Sequence, residues 1–208
     1  MSVFVKKFLD VNRFVLWADG AAEGKKARLM LGFRDGHPRL AVTTGVSGKD
    51  GIINFPADVP TIVYFLNRLK EVAAGDRGTR HSIDSLTTLY ENDKPTKQKR
   101  LVSTVYLGKS SEGIVYISVI AENRPKIVFE VKPSEFHVFK DKEGQKISEE
   151  SISCIMAKGL ADFMLGLLSD GIMRHSVEDA TEGGTTASPV MTQGAVTPAI
   201  SVLEDVPY

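Results

Sequence analysis

Lys26-Ala27-Arg28-Leu29-Met30-Leu31-Gly32-Phe33-Arg34, followed after Asp35-Gly36 by His37-Pro38-Arg39-Leu40-Ala41-Val42-Thr43, decides how this chain folds. Ala27, Leu29, Leu31 and Phe33 recur at every second position, and Leu40 and Val42 repeat the pattern. Successive strand side chains point to opposite faces, so this period means strands with one buried face. Asp35-Gly36 between them predicts a tight hairpin. Working outward, Phe14 and Leu16 predict a strand before this pair, and Ile52, Ile53 and Phe55 one after it. Asp19-Gly20 and the stretch from Gly48 to Gly51 supply the turns.

The period then changes. Val59, Ile62, Val63, Leu66, Leu69 and Val72 recur at helical spacing, with Asp58 as cap and Pro60 in the first turn. The same order returns downstream, with strands expected near 101–107, 113–120, 126–132 and 135–139 and a helix over about 148–169. The sequence therefore predicts an α+β fold of two strand-strand-strand-strand-helix repeats, forming antiparallel sheets covered by helices. The expected boundaries are a domain over 1–173, with repeats at about 10–75 and 100–173 joined by a linker at about 76–99. Residues 174–208 are rich in Gly, Thr, Ala, Ser and Pro, and are expected to be a disordered tail.

The formal net charge of zero averages two unlike parts. Residues 174–208 hold one Arg and five acids, leaving 25 basic against 21 acidic residues in the rest. An anionic partner must therefore be met by local clustering. The single cysteine, Cys154, excludes an internal disulfide and reads as a buried, inert thiol. No stretch reads as long and apolar enough to span a bilayer, and no signal pattern opens the chain, so a cytoplasmic location is expected.

A sheet covered on one side by helix presents its other face outward. Alternation assigns Arg13, Val15 and Trp17, then Lys26, Arg28, Met30 and Arg34, then Arg39, Ala41 and Thr43 to that face. In the second repeat it assigns Thr104, Tyr106, Tyr116, Ser118, Lys126 and Lys132, with Glu130 the clearest outward acid. The nucleic-acid-binding candidates are thus Arg13, Trp17, Lys26, Arg28, Arg34, Arg39, Tyr106, Tyr116, Lys126 and Lys132. Cations can follow a phosphate backbone while rings stack on unpaired bases, and stacking needs no sequence code.

The strand-strand-strand-strand-helix order with basic and aromatic sheets resembles the PC4/Whirly group of single-stranded-DNA-binding proteins. The resemblance is carried by Lys26 to Phe33, Pro38 to Thr43 and Ile53-Asn54-Phe55-Pro56, and covers roughly residues 10–170. It is architectural, and the lysine-rich signature of plant Whirly proteins is absent. It implies single-stranded DNA as partner, a homo-oligomer, and a phage-encoded member working in the host cytoplasm. The terminal Glu204-Asp205-Val206-Pro207-Tyr208 resembles the acidic, aromatic-ended tails with which bacterial and phage single-stranded-DNA-binding proteins recruit replication or recombination partners. A basic groove beside an apolar pocket would read such a tip.

Catalysis is not expected, and neither a cofactor nor a metal. Gly45-Val46-Ser47-Gly48-Lys49 has two residues between its glycines where a phosphate loop needs four, and Asp50 follows the lysine. His37, His81, His137 and His175 are scattered, and Asp76, Asp84 and Glu91 form no convergent set. Two other readings stay open at this level: an RNA-binding protein or transcription cofactor on the same scaffold, and a structural interaction module.

Overall fold

The alternation along Lys26–Arg34 is realised as a nine-residue strand whose Ala27, Leu29, Leu31 and Phe33 are buried. The computed structural model describes residues 16–34, 37–91 and 94–182, with backbone alone for Arg34, Lys49, Asp50 and 173–182. In the first half, β1 (Leu16–Asp19), β2 (Lys26–Arg34), β3 (His37–Thr43) and β4 (Ile52–Pro56) pair in chain order as one antiparallel sheet. Arg34 pairs with His37 across the expected hairpin, whose Asp35 and Gly36 lie outside the described residues. Helix α1 (Val59–Ala74) follows. The Asp58 carboxylate accepts the Thr61 amide at 2.8 Å, and Pro60 occupies the first turn, where its missing N–H costs nothing.

The second half has the same topology. Strands β5 (Arg80–Glu91), β6 (Lys94–Lys109), β7 (Val115–Ala121) and β8 (Ile127–Glu130) again pair antiparallel in chain order, and α2 (Glu149–Glu182) follows. The plan holds, but its strands are displaced along the chain. Residues 76–99, read as a linker, supply β5 and the first part of β6. The fourth strand expected at 135–139 is absent: the sheet ends at β8, and the His137 amide bonds back to Ser134 O at 3.1 Å in a turn. The period-two signal failed in 76–99 because much of β5 and β6 lies beyond the sheet and buries little. Helix α2 also runs past 173 into the stretch assigned to the tail.

Both sheets and both helices share one core. Leu31, Phe33 and Phe55 from the first sheet, Leu107, Ile117 and Phe129 from the second, and Phe65 and Leu66 from α1 are all 2% exposed or less. Each such side chain contributes about 1.5–3 kcal/mol on burial. From α2, Ala157, Ala161, Met164 and Leu168 face this core. The span Glu149–Ile172 is long and apolar enough to cross a membrane by length and composition, contrary to the sequence expectation. Part of its apolar surface is spent on the shared core, through Ala157, Ala161, Met164 and Leu168, while Ile155 stays 65% exposed. At Gly171 a side chain would collide with the Phe33 ring, the nearest carbon lying 2.5 Å from an added Cβ, so α2 reaches across to the first sheet.

Polar groups also join the two halves. Lys70 of α1 bonds Asp162 of α2 at 2.7 Å. Lys109, at the end of β6, is 8% exposed and reaches Gly75 O at 3.0 Å and the Glu150 carboxylate at 3.2 Å. Burial pulls the Lys109 ammonium down, but its bonds to Glu150 and Cys154 outweigh that and hold it above its ordinary 10.5. Arg77 and Lys109 together hold Glu150 below its ordinary 4.5. The Ser153 hydroxyl accepts the buried Val115 amide at 2.9 Å, which fastens the start of β7 to α2.

Candidate nucleic-acid interface

The face of the first sheet turned away from the core is read from its register. One row runs Trp17, Arg28, Thr43, Ile52 across all four strands. Trp17 is 49% exposed, Ile52 is 47% exposed, and Arg28 and Thr43 are half-buried between them. A half-exposed indole therefore shares a row with an arginine, a combination suited to single-strand binding by stacking and charge. The next row is Met30, Ala41, Asn54, and the one beyond it Gly32, Arg39, Pro56. Ala41 faces outward in register but is wholly buried, so the middle of this face is less open than alternation alone implies.

Lys26 pairs with Asp19 across β1 and β2 at 2.6 Å, and its hydrogen bond holds the Asp19 carboxyl below its ordinary value. Part of its charge is thereby already balanced. Arg39 is half-buried and lines a groove of about 490 Å³ with His37, Pro56, Asp84 and Leu86, where the first sheet meets β5. Arg34 ends β2, and its side chain is not described. Arg13 and the tip Glu204 to Tyr208 lie outside the described residues.

On the second sheet the outward rows are Arg80, Gly108, Tyr116, Glu130 and then Ser82, Tyr106, Ser118, Val128. Both tyrosines are on the predicted face and are half-buried there. Their burial has identifiable causes. The Tyr116 ring lies across Gly108, where an added Cβ would come within 2.4 Å of its Cζ; only a glycine leaves the ring that room. The Arg80 guanidinium lies over the Tyr106 ring at 3.9 Å from its centroid, and Lys126 Nζ is 6.0 Å from the same centroid. Tyr106 is thus a platform carrying an exposed Arg80 rather than a bare stacking surface. Ser118, expected outward, is wholly buried, and its Oγ has no hydrogen-bond partner among the described residues.

Acids on these outward faces are commoner than the sequence reading allows. Besides Glu130, which bonds Lys132 at 2.7 Å, Asp19 and Asp84 stand there, the latter accepting from Thr104 at 2.7 Å. The hydrogen bond that Lys132 donates to Glu130 is the main reason its ammonium sits above its ordinary value.

Several cations lie outside the set that alternation names. Arg80 was missed because residues 76–99 were given no strand, although His81, Ile83 and Ser85 alternate inward once the strand is drawn. Arg100 and Arg124 line a second groove with Ile52, Asn54 and Glu122, and Arg124 donates to Ile52 O at 2.7 Å. This groove begins where the Trp17 row ends. Lys99 donates to Thr88 at 2.8 Å on the projecting part of β5 and β6.

Among the described residues no group of three or more His, Cys, Asp or Glu side chains could hold a metal ion. No protein-family model, curated protein or solved structure matches the chain. What the geometry offers chemically is two outward sheet faces that each bring a cation to an aromatic residue: Trp17 and Arg28 are register partners on the first, and Arg80 lies diagonally over Tyr106 on the second.

Proposed function

We propose that this chain is a non-catalytic single-stranded-DNA-binding protein of replication, recombination or repair, built on a duplicated unit of the PC4/Whirly kind. The observation that carries the reading is Trp17, half exposed and in register beside Arg28 on the face away from the core. The Arg80–Tyr106 pair gives the second sheet the same combination of cation and ring. Duplex DNA hides its base faces and would leave such rings without a role, whereas an unpaired strand offers both phosphates and π-faces. Binding is expected to be tolerant of sequence, because no ring reads a hydrogen-bond pattern.

The acidic, aromatic tip Glu204 to Tyr208 supports recruitment of a replication or recombination partner. Phe136, Val138 and Ile155, all more than 60% exposed, support self-association into a homo-oligomer. A phage origin and action in the host cytoplasm belong to the same reading. The test is a titration with oligo(dT), oligo(rU) and duplex DNA at several salt concentrations. Single strands should bind more tightly than duplex with a clear salt slope. A marked preference for oligo(rU) would redirect the reading to RNA, and salt-insensitive or absent binding would leave only an interaction module.

A further inference from the structure

Strand β7 pairs with β6 only over Ser103–Lys109, so the β5–β6 pair continues alone beyond Leu101. Leu86 to Glu91 and Lys94 to Leu101 form a two-stranded arm, about 20 Å long at about 3.3 Å per residue. A lone two-stranded ribbon is marginally stable in water, so an arm kept at this length needs something to hold. Its composition identifies the occupant. In sequence, Lys94, Lys97, Lys99 and Arg100 stand against Glu91 and Asp93, and among the described residues the three lysines make no salt bridge. Near its end Tyr90 is 67% exposed, with Leu86 58% and Leu101 47% exposed at its base.

The face these residues occupy is also defined. Along β5, alternation places Leu86 and Thr88 on the side that carries Arg80, Ser82 and Asp84, and a second register shift, between Thr88 and Tyr90, follows toward the arm's end. On β6 the register shift between Ser85 and Leu86 leaves Val102 as an extra residue. Leu101 and Lys99 thereby come opposite Leu86 and Thr88, on that same side. The bulge thus turns Lys99 onto the outward face, in line with the Arg80–Tyr106 pair. At its base Arg100 ion-pairs loosely with Glu122, 3.7 Å away, beside the groove that receives the Trp17 row.

We infer that the arm is a second contact for the same single strand, its lysines following the phosphates beyond the sheets and Tyr90 stacking on a base near its end. This rests on the single-strand reading of the sheets and adds a length requirement to it. The experiment compares oligo(dT) of about 8 nucleotides, within an ordinary single-fold site, with one of about 30. Two forms are set beside the wild type: Lys94→Gln/Lys97→Gln/Lys99→Gln, and a shortened chain in which Asn-Gly joins Leu86 to Leu101. Thermal melting identifies whichever form keeps the fold.

The wild type should bind the long oligonucleotide much more tightly than the short one. Either arm form should lose about tenfold or more on the long one at low salt and stay within about twofold on the short one, with the salt exponent falling by about two for three lost phosphate contacts. If the wild type binds both lengths and the arm forms match it on both, the arm inference fails while the sheet reading stands. Equal losses on both lengths would place the lysines in the sheet site and also overturn it. A wild type that binds neither length brings down the parent reading and this one together.

Discussion

Arg80 and Tyr106 stack, guanidinium over ring at 3.9 Å, although neither is the other's register partner: Arg80 opposes Gly108, and Tyr106 opposes Ser82. The contact is diagonal, and the absence of a side chain at Gly108 leaves the outer face open for it and for the Tyr116 ring. Its consequence is that the two residues should act on single-stranded DNA as a unit. Tyr106→Ala should weaken oligo(dT) binding by about 0.5–1 kcal/mol, since it removes the ring that seats the Arg80 guanidinium. Arg80→Ala should lower the salt exponent by about 0.7. The double variant should lose less than the sum of the two, a coupling that a double-mutant cycle on affinity measures. Additive losses would mean that the stack has no part in binding.

Gly108→Ala tests the Tyr116 placement. The added methyl must displace a ring on a buried backbone, which should destabilise the fold by about 1–3 kcal/mol. Combining it with Tyr116→Ala removes the obstacle, so denaturant melts of the pair should recover part of that loss. No recovery would show that the ring does not lie across Gly108.

The Lys109–Glu150 lock gives a pH dependence with a defined sign. Glu150 is held below its ordinary 4.5, so its contribution is present above that value and is lost as pH falls through the depressed folded value. Lys109 is held above its ordinary 10.5, so its contribution is complete below 10.5 and is lost as pH rises through the raised folded value. Glu150→Gln should lower stability at neutral pH and flatten the acid limb of the stability profile. Urea melts between about pH 6 and pH 3 check this, since a depressed carboxylate releases its stability in that window. An unchanged acid limb would remove Glu150 from the lock.

Deleting the last eight residues should leave the melting temperature unchanged, because the Gly-, Thr-, Ala-, Ser- and Pro-rich stretch they end holds few large apolar residues to bury. It should slightly raise single-strand affinity at low salt, since Glu204 and Asp205 no longer compete for the basic faces. It should also abolish capture of a replication partner. Unchanged affinity together with intact capture would reduce the tip to a solubiliser.

The first sheet was legible because its strands are half-buried throughout. Ala27, Leu29, Leu31 and Phe33 alternate since the core lies on one side only, and Asp58 and Pro60 mark the start of α1 by their own chemistry. The second sheet was legible only where it touches the core. Leu107 and Ile117 gave the period, whereas Thr87 to Lys99 project from the sheet, and polar residues with lysines there resemble a linker. Asn92-Asp93 between two runs that pair closely, Glu91 with Lys94, was the local sign of a hairpin. Phe136 and Val138 misled in the opposite direction: they alternate like strand residues but are 84% and 66% exposed. Alternation placed the rings on the face away from the core, but it could not show that Arg80 covers Tyr106 or that Ser118 and Ala41 are wholly buried. Those are properties of neighbouring strands, which one strand's pattern does not contain.

Trp17 is the only tryptophan in the chain, and it is half exposed beside Arg28, so its fluorescence reports on the proposed site directly. Titration with oligo(dT) should quench that emission saturably, with an affinity that falls steeply as salt rises; duplex of the same length should quench weakly at most. An emission unmoved by oligo(dT), under conditions where a labelled oligonucleotide shows that binding has occurred, would contradict the claim that this face takes the single strand.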